Sequence, residues 1–295
     1  MRILLPIFLV LSSFLWAKPT VSVSIVPQKY FVEQIAGDTL EINVMVQPGN
    51  SPATYEPKPS QMRNLSKSTI YFAIGVPFEK SWLPRFASNA PSMKIVHTDE
   101  GIKKEMMAAH THDHDDHDEH HDHDEHHDHG EHAGIPDPHI WLDPILVKTQ
   151  ASNIAKALIK AFPEHKELYE SNLKSFHARL DKLHKELESL FANVSSRKFM
   201  IFHPSFGYLA KRYNLIQIPI EIEGKEPKPA QLAQLIDYAK KEEVRVIFVS
   251  PQFSSQSAKV IANEIGGKVL NLNGLAYEWE KELHKNATIL AKTLR

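Results

Sequence analysis

The sequence predicts an α/β protein of two (βα)n lobes joined by one long rigid helix, with a ligand site in the interlobe cleft. Three observations carry the architecture. From position 21 short β-branched runs alternate with amphipathic stretches, the pattern of a parallel sheet with crossover helices. The alternation stops near position 107 and restarts after 194. Between them lies a helical stretch of almost thirty residues that carries one apolar stripe.

In the first lobe, strands are expected at 21–25, 41–46, 70–74 and 93–97, with helices at 28–35, 59–65 and 78–86 between them. Regular sequence resumes at Pro138, and a helix is expected at 144–161. A longer one spans about 164–192, where Leu173, Phe176, Leu180, Leu183, Leu187 and Leu190 recur by threes and fours and form one face. The same spacing serves a coiled-coil dimer seam, although a monomer is the simpler expectation. The second lobe then reads strand 199–202, helix 206–213, strand 217–222, helix 229–241, strand 244–249, helix 254–265, strand 268–272 and a last helix at 277–293. The divisions expected are therefore 1–17, 18–143 with an insert at 107–135, connecting helices at 144–193, and 194–295.

The first seventeen residues carry Arg2, an apolar stretch at 3–15, then Trp16 and Ala17 before Lys18. That is the layout of an export signal, and its apolar stretch is shorter than the roughly 20 residues of a spanning helix. A periplasmic protein that does not itself span the membrane is expected. Cysteine is absent, which excludes disulfides and thiolate metal sites and leaves no cysteine for a lipid anchor. The net charge of −2 averages two opposed parts. Ten acidic residues and no basic ones lie at 110–132, so the rest of the chain after position 17 is about +7. Clustered Lys and Arg with interleaved aromatics are missing, which excludes a nucleic-acid surface.

Eleven of the eighteen histidines fall in that acidic run: His110, His112, His114, His117, His120, His121, His123, His126, His127, His129 and His132. The hexapeptide Asp-Glu-His-His-Asp-His occurs twice in tandem, at 118–123 and 124–129. Imidazole and carboxylate together are ligands for borderline divalent ions such as zinc and nickel. So polar a segment cannot bury a core and is expected to be disordered without metal. It would pay ordering entropy for every ion, so it suits weak auxiliary binding, and a tight site is expected elsewhere. A solvated linker and a pH sensor are the other readings of the run.

Two isolated histidines stand where a fold can aim them. His139 lies in Asp137-Pro138-His139-Ile140-Trp141-Leu142-Asp143-Pro144, and His203 in Phe202-His203-Pro204-Ser205-Phe206-Gly207-Tyr208, both at strand-to-helix junctions. With Ser51-Pro52-Ala53-Thr54-Tyr55-Glu56-Pro57 and Pro251-Gln252-Phe253-Ser254-Ser255, these runs resemble, in order, the zinc-binding type of solute-binding proteins of metal ABC importers. An acidic histidine-rich insert before the Pro-His-Ile-Trp run is also typical of that type. The resemblance covers essentially all of the chain after the signal. It implies that His139 and His203 ligate Zn2+ as cargo, one from each lobe, and that the partners are an ABC permease and its ATPase.

The resemblance also exposes two departures: Ala53 stands where the family usually has a ligand histidine, and Asn273 where it has an aspartate. Zinc wants four ligands, or three plus water. The remainder is open between Glu56 or Tyr55 from the Ala53 loop, Glu278 near Asn273, and a histidine of the insert. Glu56 is the favoured fixed candidate, against its reading as a carboxylate at a helix N-terminus. Asp143 reads as the N-cap of the helix after it.

Other functions leave different traces. A nickel, manganese or iron carrier is the alternative within binding proteins, and manganese prefers more oxygen ligands. A zinc hydrolase would need a motif such as His-Glu-x-x-His on a helix, and neither that nor Gly-x-Ser-x-Gly occurs, so no catalytic role is expected. A zinc buffer working through the insert alone is the remaining class. Because imidazole must be neutral to ligate, metal release is expected as pH falls through about 6.

Overall fold

A computed structural model describes residues 18–107 and 136–295, apart from position 223. The expected export signal and the eleven-histidine run lie outside the described residues. What is described is a pair of four-stranded, wholly parallel sheets with helices around them, joined by a long helix.

The first sheet holds β1 (Thr20–Val23), β2 (Glu41–Val44), β3 (Ser68–Ala73) and β4 (Lys94–His97) in the order β2-β1-β3-β4. Its helices are α1 (Val26–Ala36), α2 (Pro59–Leu65) and α3 (Pro77–Asn89). After β4 the chain runs to Met106, which forms an antiparallel bridge with Pro136. The Asp137 amide donates to the Glu105 carbonyl at 2.8 Å beside it. Both ends of the insert are therefore pinned at one point.

Two helices follow before the second sheet, α4 (Pro144–Ala161) and α5 (Lys166–Phe191). Asp143 caps α4 as expected, its carboxylate accepting from the Ile145 amide at 2.8 Å. At 26 residues α5 is about 39 Å long. Its buried face is Tyr169, Phe176, Leu180, Leu183, Leu187 and Phe191, so the middle of the expected stripe holds, while Leu173 and Leu190 are only half-buried and Tyr169 and Phe191 take the ends. These side chains are consumed inside the chain, in the same core as α1, α4 and the last helix, and do not form an open dimer seam.

The second sheet repeats the first topology: β5 (Lys198–Ile201), β6 (Ile216–Pro219), β7 (Val246–Val249) and β8 (Lys268–Asn271) in the order β6-β5-β7-β8. Helices α6 (Gly207–Arg212), α7 (Pro229–Lys241), α8 (Gln256–Glu264) and α9 (Trp279–Thr293) complete it. Period-two alternation divides β5 between two cores. Phe199 and Ile201 join a continuous core running from the first sheet through α4, α5 and α9, while Met200 and Phe202 face the smaller core under α7 and α8. The lobes are thus fused along one side by shared apolar packing.

A pair of tryptophans closes that side. The Trp141 indole donates to the Gly274 carbonyl at 2.7 Å, and the Trp279 indole donates to the Trp141 carbonyl at 2.8 Å. Both rings are buried, and Trp279 meets Phe31 edge-on at 5.0 Å. On the other flank Arg212 of α6 pairs with Asp143 at 2.7 Å.

Candidate metal centre

In a parallel sheet whose strand order reverses, the cleft beyond the strand ends lies at the switch point, here between β5 and β7. His203 follows β5 by two residues, and its ring stacks on Phe253, which follows β7, at 4.3 Å and 24°. From the first lobe comes His139, placed just after the Met106–Pro136 bridge and opening a short 3₁₀ turn (Ile140–Leu142). Two segments separated by 64 residues thereby bring the rings together, with Nε2 to Nε2 at 3.3 Å.

The other nitrogen of each ring is already committed. His139 Nδ1 lies 2.6 Å from Asp137 Oδ1, and His203 Nδ1 lies 2.8 Å from Glu221 Oε1. A carboxylate only accepts, so each Nδ1 carries a hydrogen, and in that neutral tautomer Nε2 is the nitrogen with the free lone pair. The two Nε2 atoms thus stand 3.3 Å apart in a nearly dry place, with Asp137, His139 and Glu221 2%, 8% and 6% exposed. Two imidazoles at roughly 2.0–2.1 Å from a tetrahedral zinc stand about 3.3 Å apart. The observed gap matches that separation.

Burial pushes the His139 imidazole below its ordinary pKa of 6.5, outweighing the Asp137 hydrogen bond and charge, which pull it up. The nitrogen is therefore neutral, as a ligand must be, over more of the acid range. The same shift sets a stability slope. The folded chain holds this proton less tightly than the unfolded one, so the group's contribution is complete above about pH 6.5 and is lost as pH falls towards the lowered value. Metal-free protein is expected to melt at a lower temperature at about pH 5 than at about pH 7, with a shallower pH dependence in His139→Ala. Identical slopes for the two proteins would assign the effect to other groups.

The remaining sequence candidates do not join the pair. Tyr55 is buried with its hydroxyl on Gln61 Oε1 at 2.6 Å, and Ala53 and Glu56 are exposed. Glu56 has no hydrogen bond or ion pair to either histidine among the described residues, so the preference for it finds no support in the geometry. Glu278 is on the surface with Lys281, at 2.9 Å. Asn273 spends its side-chain oxygen on the Leu275 amide at 3.0 Å, a local turn. Among the described residues no cluster of three or more His, Asp or Glu forms a ready metal cage.

The family model for the zinc-uptake complex component A, periplasmic, ZnuA, matches residues 21–293. The chain belongs to the ZnuA family. A high-affinity zinc uptake system protein ZnuA of Bacillus subtilis (strain 168) is 34% identical over 257 residues, covering 85% of this chain and 78% of that one. A crystal structure of ZnuA superimposes with a TM-score of 0.84 at 39% identity, covering 95% of this chain and all of that one. A ZnuA deletion mutant with zinc bound gives a TM-score of 0.83, also at 39% identity, over 94% of this chain and 98% of that one.

In this ZnuA-family chain the carboxylates behind the rings are what sequence reasoning missed. Asp137 sits inside a motif that had drawn attention for its histidine alone. Its position one proline away from His139 was the available signal. Glu221 carried a fainter one, an acid in a run of alternating isoleucines at the end of a strand. Which strand lies beside β5, and so which acid meets His203, is decided by the sheet order.

Proposed function

We propose that this chain captures zinc outside the cytoplasm between His139 and His203 and passes it to an ABC permease driven by its ATPase. The observation that carries the reading is the pair of Nε2 atoms held 3.3 Å apart by Asp137 and Glu221. Neutral nitrogen donors favour zinc over manganese or magnesium, which prefer oxygen. Carboxylates on the far nitrogens raise ligand basicity and fix the tautomer, as is usual for zinc-bound histidine. Membership of a zinc-uptake family and the zinc named in the relatives' descriptions support the same cargo. No helix among the described residues is long and apolar enough to cross a membrane, so handover to a separate permease fits.

The histidine-rich run then acts as an auxiliary collector that gathers ions weakly beside the pair. Calorimetric zinc titration of the full chain against a variant lacking 110–132 separates the roles. The deletion is expected to keep one tight zinc per chain and to lose only weaker binding. Loss of the tight event with the deletion would overturn the assignment in favour of a buffer working through the run alone.

A further inference from the structure

Gly207 opens α6 in the second lobe, four residues after His203 on the same short segment. Its φ is not among the positive ones, so the backbone makes no demand for glycine there. Within a helix glycine costs up to about 1 kcal/mol relative to alanine, so local propensity argues against it as well. What demands it is a neighbour from the other lobe. A Cβ on Gly207 would stand 2.8 Å from Asp137 Oδ2, and the next atom, Gln217 Nε2, would be at 3.7 Å, an ordinary contact.

The two oxygens of the Asp137 carboxylate have different surroundings. Oδ1 accepts from the His139 amide at 2.9 Å and from His139 Nδ1 at 2.6 Å, while Oδ2 rests in the space that Gly207 leaves. The backbone of Asp137 is fixed independently: its amide donates to the Glu105 carbonyl at 2.8 Å, and its carbonyl accepts from the Tyr208 hydroxyl at 2.9 Å. With the main chain fixed, a methyl group at 207 leaves the carboxylate one response, rotation, which draws Oδ1 off the imidazole.

We infer that Gly207 is a positioning residue for metal capture: by lacking a side chain it seats the Asp137 carboxylate that aims His139 at His203. This rests on the reading of the histidine pair as the zinc site. It makes the segment 203–212 a two-handed element, supplying one ligand and setting the orientation of the other. Because the clashing atom ends a side chain, the fold absorbs the methyl group while the aim of the ring does not.

The test is a double-mutant cycle on the full chain, with tight zinc affinity read by competition against a chelator and folding read by thermal melting. Loss of an outer hydrogen-bond partner of a ligand histidine costs about 10–100-fold in metal affinity. Asp137→Ala is expected to fall in that range, Gly207→Ala to weaken binding about tenfold with the metal-free melting temperature retained, and the double variant to match Asp137→Ala alone. The inference is overturned by unchanged affinity in Gly207→Ala, or by the same loss in both backgrounds. A fall in melting temperature that persists in the double variant also overturns it, because the carboxylate is then gone. Failure of the underlying site has another signature: Asp137→Ala would leave the affinity intact, as would His139→Ala with His203→Ala.

Discussion

Replacing His139 and His203 together by alanine is expected to abolish the tight zinc ion. Apparent zinc affinities of about 10–16 kcal/mol for four-ligand sites correspond to roughly 3 kcal/mol per ligand. Two ligands are then worth on the order of ten-thousandfold in dissociation constant. Competition titration with a chelator reads this directly, and weak binding by the histidine-rich run should persist as background. Measurements belong well below the melting temperature, because Asp137 and Glu221 lose their imidazole partners in a buried place and the fold is weakened. Tight binding that survives the double replacement would remove the pair from the site.

Trp279→Ala is expected to have the largest effect on stability, a loss of about 3–5 kcal/mol from removing a buried tryptophan. The side chain is 2% exposed, packs edge-on against Phe31 of the first lobe and donates to the Trp141 carbonyl. Its removal opens a cavity at the fused side of the two lobes and strips the buried Trp141 carbonyl of a donor. Trp141 lies two residues beyond His139, with ring centroids 5.0 Å apart, so zinc affinity should fall as well. Urea unfolding gives the answer through the midpoint at constant slope. A loss below about 1 kcal/mol would show that the tryptophan pair is not what joins the lobes.

Much of this was readable in the sequence, and for identifiable reasons. The α5 stripe was legible because helical spacing repeats locally, and α2, α4 and α7 begin and end where prolines and composition mark them. Strand ends were less legible. The run at 217–222 reads as a strand to its last isoleucine, yet β6 is Ile216–Pro219, with the Ile220 amide still donating to the Ile201 carbonyl at 2.9 Å just beyond its end. The two histidines stood out because each is set in a stiff, proline-flanked motif. Their carboxylate partners and the tryptophan exchange did not, since Glu221 meets His203 and Trp279 meets Trp141 only through tertiary neighbourhood. Glu56 was chosen for proximity along the chain to Ala53, and exposure in the folded loop is what that criterion cannot detect.

The bridge between Met106 and Pro136 has an evolutionary consequence. Where a chain leaves and re-enters a fold at one point, the entropy of closing the intervening loop grows only with the logarithm of its length, about 0.6 kcal/mol per doubling. Copying or losing a hexapeptide such as the tandem Asp-Glu-His-His-Asp-His is therefore nearly neutral for folding. The number of repeats can therefore change at little cost to the fold that places His139, just beyond the run, and His203.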